Sequence, residues 1–210
     1  SYVYNYDVLT GLKKDGTFLL NCTWTAEELD ANLPGQLKRY IAENDIKFYI
    51  IDAVKIAQEI GLGGRINMIM QSAFFKLADV IPLETAVKHL KEAVEHSYGK
   101  KGQNIVDMNN AAIDQGINAI VAVEVPAAWA NAEDSKLAAE TGNEFVDQLL
   151  VPMNRLEGDK LPVSAFNKYA DGTFPCGTSA YEKRGIAINV PEWQIDTCIQ
   201  CNQCAFVCPH

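Results

Sequence analysis

Residues 17–60 read TFLLNCTWTAEELDANLPGQLKRYIAENDIKFYIIDAVKIAQEI. The first six, Thr17–Cys22, are a short apolar run after a turn at Asp15 and Gly16, which predicts a buried strand. Thr25 and Glu28 form a T-x-x-E capping box, opening a helix that carries Leu29, Leu33, Leu37 and Ile41 on one face and is liable to kink at Pro34. Asp45–Ile51 is a second strand, and Ala53–Ile60 a second helix stopped by Gly61. Strand, helix, strand, helix implies an α/β layer with parallel strands.

Working outward, Tyr6–Lys14 reads as a short helix. Downstream, helical patterns cover Ile66–Leu77, Leu83–Ser97 with Gly99 as its stop, and Lys101 to about Val123. Two strands are few for a doubly wound sheet, so further strands are expected upstream of Ser1. From Glu124 to Gly158 the sequence reads as a connector with helix around Glu144–Met153. From Asp159 to Trp193 it is loop-like, with alternating Ile186, Ile188 and Val190 suggesting one edge strand before Pro191.

Apolar residues make up 48% and charged residues 21% of the 210, the composition of an ordinary globular protein. The net charge of −9 argues against a nucleic-acid partner. No apolar run approaches the ~18 residues of a membrane span. The opening residues SYVYNYDVL have neither a basic n-region nor an apolar h-region, so no signal peptide is expected. The chain stops just after a dense cysteine cluster, from which an internal segment of a longer polypeptide is expected.

That cluster is the strongest chemical signal. Cys198, Cys201, Cys204, Cys208 and Pro209 spell C-x2-C-x2-C-x3-C-P, the bacterial ferredoxin run for [4Fe–4S] ligation. A cubane offers four iron corners, and two-residue gaps let one tight loop reach three of them. In two-cluster ferredoxins the fourth cysteine serves the other cluster. Cys198, Cys201 and Cys204 are therefore assigned to one cluster and Cys208 to a second, with the remaining ligands beyond residue 210. A zinc site is the alternative, but it usually takes two well-separated pairs. Cys22 reads as a buried small hydrophobe and Cys176 as an unpaired loop residue.

The segments YDVLTGLKKDGTFLLNC (6–22), IDAVKIAQEIGLGGRINMIMQSAFF (51–75), GDKLPVSAF (158–166), DGTFPCGTSAYEKRGIAINVPEW (171–193) and CIQCNQCAFVCPH (198–210) together resemble pyruvate:ferredoxin (flavodoxin) oxidoreductase, or pyruvate synthase. The resemblance covers essentially the whole chain. It implies an α/β fold: a truncated Rossmann-like gamma domain, a loop-rich EKR segment, and the first half of a two-cluster ferredoxin motif. The corresponding divisions are 1–123, a connector at 124–158, the EKR segment at 159–193, and the ferredoxin start at 194–210. The implied reaction converts pyruvate and coenzyme A to acetyl-CoA and carbon dioxide, with electrons passing through 4Fe–4S clusters to ferredoxin or flavodoxin. Thiamine diphosphate and magnesium would lie in the missing part of the parent chain, and no catalytic residue in this segment. A homodimer of the full-length chain and a cytoplasmic, often anaerobic, setting follow from the same resemblance.

Gly61-Leu62-Gly63-Gly64-Arg65-Ile66-Asn67 departs from G-x-G-x-x-G, so a dinucleotide fingerprint fails. Glycines leading into a helix still admit close approach of a phosphate. The resemblance carries CoA contacts onto Arg65 and Asn67, with Asn109 as a weaker third. The competing reading is a glycine cap beside a solvated arginine. His89 and His96 read as surface residues, and Met68 and Met70 beside Phe74 and Phe75 as core. Two other functions compete with the oxidoreductase: an electron-transfer or scaffold module carrying a ferredoxin domain, and a related enzyme for another 2-oxoacid.

Overall fold

A computed structural model describes residues 2–135, 141–181 and 192–207. The chain divides into two compact units, residues 1–140 and 141–210. The expected strand through Ile186, Ile188 and Val190, the Glu182-Lys183-Arg184 segment and Cys208 lie outside the described residues.

The first unit is mixed α/β. Strand β1 (Thr17–Asn21) runs parallel to β2 (Lys47–Ile51), with Thr17 opposite Lys47 and Asn21 opposite Ile51. A short β3 (Val121–Ala122) pairs antiparallel on the other side of β2. Alternation along β2 feeds two cores. Phe48 and Ile50 join Leu29, Leu33, Leu37, Ile41 and Trp129. Ile51 joins Ile56, Ala57, Ile69, Ala73 and Ala112. The period-2 geometry of a strand sends successive side chains to opposite faces, so the sheet is covered on both.

Several elements differ from the sequence reading. The first helix, α1, is Tyr2–Asn5, and the stretch expected to be helical from Tyr6 is a series of turns. The Asp7 carboxylate accepts from the Leu9 N–H at 3.3 Å and from the Thr10 hydroxyl, and Gly11 is left-handed at φ 83°. Such local side-chain bonds compete with helix formation. The capped helix is divided into α2 (Leu29–Asn32) and α3 (Gly35–Glu43) at Pro34, which has no N–H to donate, and Leu33 before it is extended. The Glu28 carboxylate still accepts the Thr25 N–H at 2.9 Å, one half of the capping box.

Helix α4 (Ala53–Ile60) is capped by Asp52, which accepts from the Lys55 N–H, and is closed by left-handed Gly61 at φ 91°. Helices α5 (Asn67–Ala78), α6 (Leu83–Tyr98) and α7 (Gln103–Asn118) follow. Gly99 does not stop α6 sharply: the chain continues through a 3-10 turn, Gly99–Lys101, and reverses at Gly102, φ 108°. The last helix was expected to reach Val123, but it ends at Asn118. The free edge of β2 takes up Val121 and Ala122, and the Val123 N–H donates to the Phe48 carbonyl at 2.9 Å. Tertiary pairing has overridden local propensity.

Residues 127–135 close over α3. Trp129 is buried, its indole N–H donating to Asp30 at 2.8 Å. The Ser135 hydroxyl accepts the Gly35 N–H at 2.9 Å, Gln36 accepts the Ser135 N–H at 3.1 Å, and Arg39 holds both the Ala132 carbonyl (2.6 Å) and the Asp134 carboxylate. A Cβ on Gly35 would lie 1.6 Å from the Glu133 carbonyl oxygen, so only glycine permits this approach.

The second unit packs around Phe145, Val146, Leu149 and Leu150, with Leu161, Phe166 and Tyr169 against them. A π-helical turn, Val146–Leu150, runs into α8 (Val151–Asn154). Pro152 gives the reason, because its ring clashes with the carbonyl four residues back and the wider register relieves the clash. The last described elements of this unit are a 3-10 turn, Ile195–Thr197, and the short α9 (Gln203–Val207).

Candidate functional site

The α4–α5 turn builds from its glycines. Gly61 and Gly63 are both left-handed (φ 91° and 63°), and a Cβ on Gly63 or Gly64 would meet nothing within 4 Å. The turn is therefore open to solvent on its outer side. Arg65 follows, exposed, its backbone N–H tied to the Leu62 carbonyl at 3.3 Å. Asn67 is the first residue of α5 and is also exposed. Helix α5 has no side-chain cap and no acidic residue in its first turn. Its leading amides and the positive end of its dipole thus favour an anion. Among the described residues, the Arg65 guanidinium has no carboxylate partner.

Asn109 is placed differently. It is 5% exposed within α7, and its amide donates to the Ile105 carbonyl one turn back at 2.8 Å. Its neighbour Met108 connects the two regions, since its sulfur lies 3.5 Å from where a Cβ on Gly61 would be. The structure brings Arg65 and Asn67 together on one turn and leaves Asn109 in the helix behind it.

A cavity of about 240 Å³ opens at the carboxyl ends of β1 and β2, lined by Tyr2, Leu20, Cys22, Trp24, Asp52 and Val54 among others. The first amides of α4 are already used there: Asn21 accepts the Ala53 N–H and Asp52 the Lys55 N–H, each at 2.9 Å. Cys22 is half-buried, and that burial pushes its thiol above the ordinary value. His89 and His96 are exposed, and Met68, Met70 and Phe75 pack against the cores, as the sequence predicts, but Phe74, read with them, is 54% exposed.

In the second unit Cys198, Cys201 and Cys204 are all free thiols. Gln200 and Asn202, one in each gap between them, take left-handed conformations, φ 58° and 59°. Side chains rarely accept that geometry, and here it coils the loop tightly. The Cys198 thiol is held below the ordinary value, by Trp193 first and then by the Gln200 backbone N–H. No spacing rule in the sequence marks Trp193; its only signal is an aromatic residue five positions before the first cysteine. Among the described residues no three His, Cys, Asp or Glu side chains converge on one point as a single metal ion would require. A cubane would take thiolates on separate iron corners, and the three free cysteines are donors of that type.

A family model described as pyruvate ferredoxin/flavodoxin oxidoreductase matches residues 2–119. The chain belongs to that family. A second model, EKR, described as a domain of unknown function, matches residues 132–187. Among its relatives, a pyruvate-flavodoxin oxidoreductase of Enterobacter agglomerans is 63% identical over 210 residues. A pyruvate:ferredoxin oxidoreductase of Moorella thermoacetica is 56% identical over 211. Both matches cover 100% of this chain and 18% of the relative. A mitochondrial pyruvate dehydrogenase [NADP(+)] of Euglena gracilis is 46% identical over 215 residues, again across 100% of this chain and 12% of the relative.

Proposed function

We propose that this chain is the coenzyme A- and electron-handling stretch of an enzyme that oxidatively decarboxylates pyruvate. Pyruvate, CoA and an oxidised carrier give acetyl-CoA, carbon dioxide and two electrons, which leave through 4Fe–4S clusters to ferredoxin or flavodoxin. Thiamine diphosphate and magnesium, held elsewhere in the parent protein, supply the decarboxylation chemistry. Residues 1–123 serve as the gamma-like domain, 124–158 as its connector, 159–193 as the EKR segment and 194–210 as the start of the ferredoxin domain. The parent protein works as a homodimer in the cytoplasm.

Arg65 offers a charged fork and Asn67 an amide at the uncapped end of α5, a combination suited to a CoA phosphate. Asn109 is 5% exposed and already gives one amide hydrogen to the Ile105 carbonyl, which makes it the weaker contact. Cys198, Cys201 and Cys204 hold three corners of one cluster, and Cys208 serves a second.

The observation that supports this reading best is the union, in one chain, of the family match over residues 2–119 with the cysteine run that begins at Cys198. Cys201→Ala in the full-length enzyme tests it. Iron content and pyruvate- and CoA-dependent carrier reduction should both fall. Full iron occupancy with wild-type carrier reduction would defeat the assignment.

A further inference from the structure

We propose that Leu156 anchors the second unit to another domain of the parent polypeptide, one that lies outside these 210 residues. The inference rests on the reading of this chain as a stretch of a longer enzyme, given above. Helix α8 closes in a Schellman motif: the Leu156 N–H donates to the Met153 carbonyl at 3.0 Å and the Glu157 N–H to the Pro152 carbonyl at 2.9 Å. Such a motif puts its turning residue in the left-handed region, where glycine fits without strain. Leu156 holds that position at φ 63°. The other described non-glycine residues with positive φ are Asp15, Asp45, Asp79, Gln200 and Asn202, all polar. A leucine there crowds its Cβ against the backbone and gives the turn nothing that glycine would not supply at less cost.

The side chain gives the unit nothing either. It is 82% exposed and has no place in the core built on Phe145, Val146, Leu149 and Leu150. Met153, whose carbonyl closes the turn, is also exposed, at 38%. A strained backbone and a solvated apolar side chain at one residue both cost the isolated unit stability. Burial of that side chain in the assembled enzyme accounts for both. Area decides what covers it. Leu156 and Met153 together offer far less than the roughly 1,200–2,000 Å² that separate molecules bury in a stable complex. A second copy is therefore not held by this turn. A domain on the same polypeptide needs no such area, because the connecting chain supplies the effective concentration. The relatives leave room for one: the match to the 63% identical enzyme covers 100% of this chain and 18% of that protein. The occupant is an apolar pocket on such a domain.

The test uses the full-length enzyme. Leu156→p-benzoylphenylalanine places a photo-cross-linker at the turn. Irradiation should join it to a residue outside 1–210 while the product keeps the mass of one polypeptide on a denaturing gel. A product of doubled mass, a link within the 210 residues, or no link would overturn the proposal. Leu156→Gly gives a second test through the sign of its effect. If the leucine touches nothing, glycine relieves the turn, and the amides of residues 156 and 157 gain protection from hydrogen exchange relative to their intrinsic rates. If the leucine is docked, glycine removes the anchor, and that protection falls about tenfold. Unchanged or increased protection in the Leu156→Gly enzyme would overturn the proposal. Failure of the parent-enzyme reading shows itself separately, as a native polypeptide no longer than these 210 residues.

Discussion

Arg65 sits at the positive end of α5 with no carboxylate to neutralise it among the described residues. If it grips a CoA phosphate, Arg65→Ala should raise the apparent CoA requirement of the parent enzyme. A charge-assisted hydrogen bond of roughly 1.5–3 kcal/mol corresponds to about 10- to 100-fold. The first half-reaction with pyruvate should be spared, and steady-state kinetics against CoA checks both outcomes. Asp147 offers a residue-scale test of a different kind. It accepts the Thr141 N–H at 2.9 Å and the Gly142 N–H at 3.0 Å, and the Thr141 bond leads in holding its carboxyl below the ordinary value. A depressed carboxyl contributes stability that is complete above the unfolded value and fades as pH falls through the lower folded one. Protection of the Thr141 and Gly142 amides, measured as exchange relative to the intrinsic rate at each pH, should therefore fall on strong acidification, and Asp147→Asn should weaken that pH dependence. At this scale the cysteine run stands out because its spacing is a pattern in the sequence, and the proposed ligand roles rest on that pattern. The Asp147 contacts do not, because hydrogen bonds across a turn leave no periodic mark.

The helices pack through small residues. A Cβ on Gly116 of α7 would lie 2.3 Å from the Ser72 hydroxyl and 2.5 Å from the Ile69 carbonyl oxygen, both on α5. Gly116→Ala should force the two helices apart at a cost of ~1–3 kcal/mol, read as a lowered denaturation midpoint. Helical propensity alone predicts the opposite, since alanine is the better helix former. The same contrast explains which elements the sequence disclosed. Ala53–Ile60 was readable to the residue because Asp52 and Gly61 cap it with local chemistry. The run Leu29, Leu33, Leu37 and Ile41 was readable as one buried face, and all four are buried, although Pro34 breaks rather than kinks the helix. Strand β3 was hidden, because Val121 and Ala122 pair with residues some seventy positions earlier. Trp129 was hidden likewise: a lone aromatic in an alanine-rich stretch carries no period, and its place beside Phe48, 6.3 Å between ring centres, is a tertiary fact.

For the whole molecule, the sheet order β1-β2-β3 places β1 at an edge. Among the described residues no strand covers its outer side, and an open parallel edge recruits other chains. A protein of these 210 residues expressed alone should associate in size exclusion despite its charge of −9. It should also show no pyruvate- and CoA-dependent viologen reduction, because the proposed decarboxylation chemistry lies elsewhere in the parent. A monodisperse monomer would contradict the first expectation, and genuine turnover the second. The clasp over α3 adds a matter of timing. Gly35 and the Ser135 hydroxyl that receives its N–H are separated by 100 residues. On a ribosome adding about 5–20 residues per second, the helix is made roughly 5–20 seconds before its cap exists. Through that interval the nascent chain carries α3 with its leading amide open and the groove for Trp129 empty. Closure over α3 must therefore be among the late events of this unit's synthesis, and a ribosome stalled before Ser135 would hold the domain without its cap.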